Sequence, residues 1–188
     1  MKTHLSILAG STLALTLACG GGGGSSTPVG PTNATRLTYT EPAQTGWYFT
    51  KVSGTGSVTD PLVLELRGPS TPRVKGAAFF MNTASATRLA WHALNGASYV
   101  QVPANMTLGA APQLLKDKLT GSELQVGVFQ KTGDAAASGG VVRIALKLKD
   151  GSQSQGDITG ITLTKTSVLA TDGTVTTPAI TLGALKAE

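Results

Sequence analysis

Residues 141–151 read VVRIALKLKDG, and residues 61–68 read PLVLELRG. In the first, Val142, Ile144, Leu146 and Leu148 fall on one side of an extended chain. Arg143, Ala145, Lys147 and Lys149 fall on the other. In the second, Leu62, Leu64 and Leu66 oppose Val63, Glu65 and Arg67. A polarity period of two belongs to a strand with one face on a core and one face in water. These two stretches therefore decide the fold class.

The same alternation extends outward along the chain. Leu124, Val126 and Val128 repeat it, and so do Ile161 and Leu163 against Thr162 and Thr164. Gly68-Pro69, Gly133-Asp134, Asp150-Gly151 and Asp172-Gly173 punctuate the runs. Asp-Gly supplies the positive φ of tight hairpin turns, so SVLAT and TVTTP around the last pair are expected to form a hairpin. Ala111–Leu119, APQLLKDKL, is the one stretch that reads as a helix. About nine strands at this spacing predict an all-β chain built as an antiparallel β-sandwich. No internal repeat of fixed period is present.

Composition agrees with a folded domain: 40% of the 188 residues are hydrophobic and 13% charged. The net charge is +5, but the bases are scattered, with no cluster denser than Lys116/Lys118 or Lys147/Lys149. Nucleic-acid binding needs a basic stripe, which is missing here, so no nucleic-acid partner is expected. Cys19 is the only cysteine, so no intrachain disulfide can form.

Leu5–Ala18 is a stretch of 14 residues without a charge, preceded by Lys2 and ended by small Ala18 before Cys19. It is shorter than the roughly 20 residues that span a bilayer as a helix, and it suits a signal peptide. Leu15-Thr16-Leu17-Ala18-Cys19 resembles the bacterial lipobox, with Thr16 standing where an aliphatic residue is usual. The resemblance implies cleavage before Cys19, lipidation of its thiol and acylation of the freed amine. Two or more acyl chains anchor stably. Gly20–Gly24 and the following SSTPVGPTN form a Gly/Ser/Pro-rich linker that cannot build a core. Its root-mean-square reach is about 20 Å. The expected organisation is a signal peptide over 1–18, lipidated Cys19 with its linker over 19–33, and a β-sandwich over 34–188. Gly20 after the cysteine resembles the outward-sorted class of lipoproteins.

Two blocks resemble the cohesin domain and its carbohydrate-binding-module relatives. They are VKGAAFFMNTASATRLAW, Val74–Trp91, and GGVVRIALKLKDGSQSQGDITGITLTKTSVLATDGT, Gly139–Thr174. Met81-Asn82-Thr83 stands where that family often carries Tyr-Asp. The resemblance implies a nine-stranded, jelly-roll sandwich and a non-catalytic binding role. The chain carries no dockerin-like calcium repeats, and a dockerin partner is not inferred.

Chemistry-bearing residues are few. Beyond the signal segment His92 is the one histidine, too few for a His/Cys zinc site, and it lacks a nucleophile motif. No cofactor is implied. In DGSQSQGD, Asp150, Ser152, Ser154 and Asp157 offer oxygens of the kind calcium takes, without the sixth-place Gly and twelfth-place Glu of a calcium loop. Trp47, Tyr48, Trp91 and Tyr99 are the candidate ligand-binding residues, since exposed flat aromatics stack on sugars, while buried ones fill cores. Alternation sets Tyr48 opposite Trp47 and Phe49. The expected function is a lipid-anchored, non-catalytic binding module on the exported side of the cell membrane or outer membrane, recognising protein or polysaccharide. A structural subunit of a cell-envelope assembly is the alternative, and a carboxylate-pair hydrolase a second one.

Overall fold

The computed structural model describes residues 32–106, 108 and 114–188. The signal stretch, Cys19, the glycine run and Ala111–Gln113 lie outside the described residues. The described chain forms β1 (Leu37–Thr40), β2 (Trp47–Ser53), β3 (Leu62–Arg67), β4 (Val74–Asn82), β5 (Leu89–Trp91), β6 (Val100–Gln101) and β7 (Leu114–Thr120). It continues through β8 (Glu123–Phe129), β9 (Val142–Leu148), β10 (Gly156–Ile158), β11 (Thr162–Ala170), β12 (Val175–Thr176), β13 (Ile180–Thr181) and β14 (Ala184–Ala187).

These strands make a β-sandwich. One sheet has the order β12-β11-β4-β8-β7, and its partner has the order β13-β2-β3-β9-β5, with β6 also on β9. A small sheet, β1-β14-β10, completes the fold. The alternating stretches supply the core. Leu62, Leu64 and Leu66 of β3 and Ile144, Leu146 and Leu148 of β9 are all fully buried. Facing them are Phe79 and Met81 of β4 and Leu124, Val126 and Val128 of β8. Phe49 of β2 and Phe79 of β4 meet edge to face across the sandwich, with ring centroids 5.4 Å apart. This offset geometry aligns a positive ring edge with a negative face.

Four sequence expectations are corrected. The helix expected over Ala111–Leu119 is a strand from Leu114: β7 pairs with β8 from Leu114↔Phe129 to Thr120↔Glu123. Helix propensity is a weak prior, and seven cross-strand pairs around the Gly121 turn override it. Asp150-Gly151 is not a hairpin turn, because β10 pairs with β14 rather than with β9. The sandwich is not wholly antiparallel: β13 joins β2 in parallel, through Ile180↔Trp47 and Thr181↔Tyr48. Glu65 lies on the outward face of β3 as its spacing requires, yet it is only 1% exposed. The hairpin at Asp172-Gly173 forms, joining β11 to β12 with Gly173 at φ 88°.

Tyr39 ties the small sheet to the sandwich. Its hydroxyl donates to the Phe49 carbonyl at 2.8 Å and accepts from the Gly183 N–H at 2.8 Å. Burial pushes the phenol up to about 12, against the Gly183 N–H, which lowers it, and with Glu41, which raises it. A raised pKa means that the folded state keeps its proton while the unfolded chain releases it. Stability is therefore expected to fall as pH rises from the ordinary value of 10.0 towards 12. Tyr39→Phe leaves a buried acceptor and donor unpaired and is expected to cost about 1–3 kcal/mol. Urea unfolding at pH 7 and pH 11 checks both points: the pH dependence should shrink in the variant.

Candidate functional site

Cross-strand partners in an antiparallel sheet point to the same side, so register builds the outer face of the five-stranded sheet row by row. Val175, Leu169, Gly76, Phe129 and Leu114 form one row across all five strands. Ser167, Ala78, Gly127 and Lys116 form the next. Thr164, Phe80, Gln125 and Lys118 form the third. The first row is apolar throughout, and Val175 and Leu114 at its ends are 65% and 38% exposed.

Between these ends lies a groove of about 220 Å³, floored by Gly76, Ala78 and Gly127. The floor is low because these residues have little or no side chain. Gly76 can be nothing else, since a Cβ there would stand 2.1 Å from the Val128 carbonyl oxygen. Gly127 differs, because a Cβ there meets only Leu114 Cδ2, at 3.7 Å. Lysines stand beside the groove, along the second and third rows. Lys116 and Lys118 rise from β7, and a bulge in β11 holds Lys165 at φ 50° with its ammonium 4.6 Å from the centre of the Phe80 ring. The acid in the fourth row, Glu123, accepts from Gln125 Nε2. The face is thus an apolar trough with a positive region on one side.

The four aromatics expected from the sequence do not share an exposed face. Trp47 is 8% exposed and lies against Gly68, where a Cβ would stand 2.7 Å from its ring. Trp91 is half-buried on the core side of β5, opposite Leu146, and its Nε1–H donates to the Ser122 carbonyl at 3.1 Å. It closes one end of the sandwich. Tyr99 packs against the core, and its N–H donates to Asp117 Oδ2 at 2.8 Å. Tyr48 alone of the four is outside the core cluster and its packed fringe; it stands opposite Arg67 on the outward side of β2. Strands β3 and β9 separate β2 from β5, so Tyr48 and Trp91 belong to different places. Alternation revealed the Trp47/Tyr48 split, but no sequence signal marked the strand order. The trough was missed because glycine and alanine in a strand look like weak strand formers until register lines them up.

The loop considered for calcium is organised by other groups. Asp150 Oδ1 accepts from the Ser152 N–H, the Ser152 hydroxyl and Gln153 Nε2. Together with Lys149 these contacts hold its carboxyl below the usual range, the Ser152 hydroxyl contributing most. Arg88 reaches across from the approach to β5. Its Nη1 donates to the carbonyls of Ser154 and Gly156 at 3.1 and 3.2 Å, and its Nη2 donates to the carbonyl of Asp157. The guanidinium thus ties together three backbone carbonyls of this loop. Among the described residues no group of three or more His, Cys, Asp or Glu side chains converges. Arg88→Ala is expected to cost about 1–2 kcal/mol, and millimolar calcium is expected to leave the wild-type melting temperature unchanged. A calcium-dependent rise in melting temperature would show that the loop takes the metal after all.

Six further carboxylates are also engaged locally. Glu41 accepts from the Lys51 N–H, Asp60 from the Thr55 N–H, Asp117 from Ser98 and Tyr99, and Asp172 from the Thr174 N–H. Asp134 pairs with Arg73 and Thr171, and Glu188 with Thr38 and Lys186. His92 is half-buried just beyond β5, with its backbone N–H donating to the Ala145 carbonyl.

The architecture is a cohesin-like β-sandwich. No family model and no curated protein matches the chain. The sixth cohesin of scaffoldin B from Acetivibrio cellulolyticus, solved in complex with a dockerin, matches 74% of this chain and 95% of its own, at 17% identity and a TM-score of 0.53. A non-cellulosomal cohesin from Archaeoglobus fulgidus matches 72% of this chain and 86% of its own, at 12% identity and a TM-score of 0.47. A cohesin module of a family 33 glycoside hydrolase from Clostridium perfringens matches 84% and 97%, at 14% identity and a TM-score of 0.42.

Proposed function

We propose that the chain is a non-catalytic protein-binding module, anchored through acylated Cys19 to the exported side of a membrane, with the outer face of its five-stranded sheet as the docking surface. The observation that carries this reading is the open trough over Gly76, Ala78 and Gly127 between Leu114 and Val175. An apolar patch with a polar rim is the anatomy of a protein interface. Lys116, Lys118 and Lys165 select a partner that offers apolar side chains flanked by Asp or Glu. The acetivibrio cohesin, which shares the fold, was solved with a protein partner, and this supports the same class of ligand.

The test is crosslinking in intact cells with wild type and Gly127→Glu. The variant fills the trough and adds a charge that repels acids, while the space above Gly127 accepts a side chain without touching backbone. A stoichiometric protein adduct in wild type, lost in a Gly127→Glu variant of unchanged melting temperature, is the expected result. An adduct of equal yield in both would rule this face out. Cys19→Ser is expected to move the protein from the membrane fraction to the soluble one, and persistent membrane association would sink the anchor.

A further inference from the structure

The opposite side of the molecule carries a second constructed site. Glu65 is 1% exposed although it faces away from the core. Its Oε1 accepts from Arg67 Nε and its Oε2 from Arg143 Nε, each at 2.8 Å. The loop at Ala137–Gly140 closes over it. Gly140 has φ 95°, and a Cβ there would stand 2.5 Å from the Glu65 carboxyl carbon. Asn105 Nδ2 pins that loop by donating to the carbonyls of Ala136 and Gly140 at 2.9 and 3.1 Å.

Burying a carboxylate is costly, and an apolar side chain of similar size would serve packing as well or better. What the buried carboxylate does is hold two guanidiniums still. Each arginine gives only its Nε to Glu65, and the Nη groups of both find no acceptor among the described residues. The side chains remain 39% and 30% exposed. Two forks of fixed geometry therefore face solvent, and such forks match planar oxyanions. The outward residues of β3 and β9 are Val63, Glu65, Arg67, Arg143, Ala145 and Lys147, three cations against one anion. Beside Arg67 in register stands Tyr48, and beside Arg143 stands Gln101.

We infer that Arg67 and Arg143, oriented by Glu65, bind the carboxylate of a uronic acid in an acidic polysaccharide, with the Tyr48 ring packed on the adjoining sugar. Glu65 is a positioning residue. The half-buried aromatic ring beside the forks favours a sugar over an aspartate or glutamate side chain, which has no flat apolar face to cover it. This site is on the other sheet from the docking trough and stands independently of it.

Binding of the mature chain to polygalacturonate, to neutral dextran and to polyglutamate is measured by calorimetry. Polygalacturonate alone is expected to bind. Arg67→Lys and Arg143→Lys keep the ion pair with Glu65 but each removes one of the two forks, and each is expected to weaken binding about tenfold with little change in melting temperature. Tyr48→Ala, outside the core cluster, is expected to do the same. Gly127→Glu should leave polygalacturonate binding intact, which separates this site from the protein-docking face. The assignment falls if wild type does not bind polygalacturonate, if the lysine and Tyr48 variants bind as wild type does, or if polyglutamate binds equally well.

Discussion

Phe79→Ala is expected to remove about 3–5 kcal/mol from the free energy of unfolding, the range for deleting a fully buried aromatic ring. Phe79 sits in mid-β4, the central strand of its sheet, with no exposure. Its contact with Phe49 is the edge-to-face bridge between the two sheets. Around it are Met81, Leu124, Val126 and the leucines of β3, held by strand pairing that leaves little room to collapse into the gap. Urea unfolding gives the loss directly. A double-mutant cycle with Phe49→Ala is expected to return a coupling of about 0.5–1.5 kcal/mol. A loss below about 1 kcal/mol would mean that the sheets do not meet through this ring.

Glu65→Ala is expected to cost about 3–5 kcal/mol, the range for breaking a buried ion pair by removing one partner. The lower end is favoured, because both guanidiniums reach water in part. Two cations then lie near each other with no anion between them, and the loop at Gly140 loses the group it closes on. Glu65→Gln is expected to fall between, since its amide oxygen still accepts from one arginine while its NH2 group faces the other. Denaturant unfolding at neutral pH checks the order. If Glu65→Ala unfolds like wild type, the triad does not hold that loop.

These two residues also show what was readable in advance. The alternation in β3 and β9 assigned their inward leucines and isoleucine correctly, because a period of two has only one interpretation once a core exists. It placed Glu65 on the correct side of the sheet as well. It did not show that Glu65 is covered, because the cover comes from Gly139-Gly140 and Asn105, far away in sequence. β7 illustrates a second limit. Leu114-Leu115-Lys116-Asp117-Lys118-Leu119 contains good helix formers, and only its pairing with β8 makes it a strand. The trough needed three separate registers to coincide at Gly76, Ala78 and Gly127. Pairing partners in a sheet are set by topology, and one sequence without its topology does not say which small residues become neighbours. The positions of the aromatic candidates were hidden for the same reason, since the order β2-β3-β9-β5 sets Tyr48 and Trp91 apart.

Arg88 has a consequence for how this loop keeps its shape. Loops that depend on a bound metal exchange it with their surroundings, and they lose shape when chelators or acidity lower its supply. The loop from Ser154 to Asp157 is instead pinned by a cation that is part of the polypeptide. No dissociation constant governs it, and no scavenger can strip it. The shape of this one loop then follows from the fold itself and not from the mineral content around it.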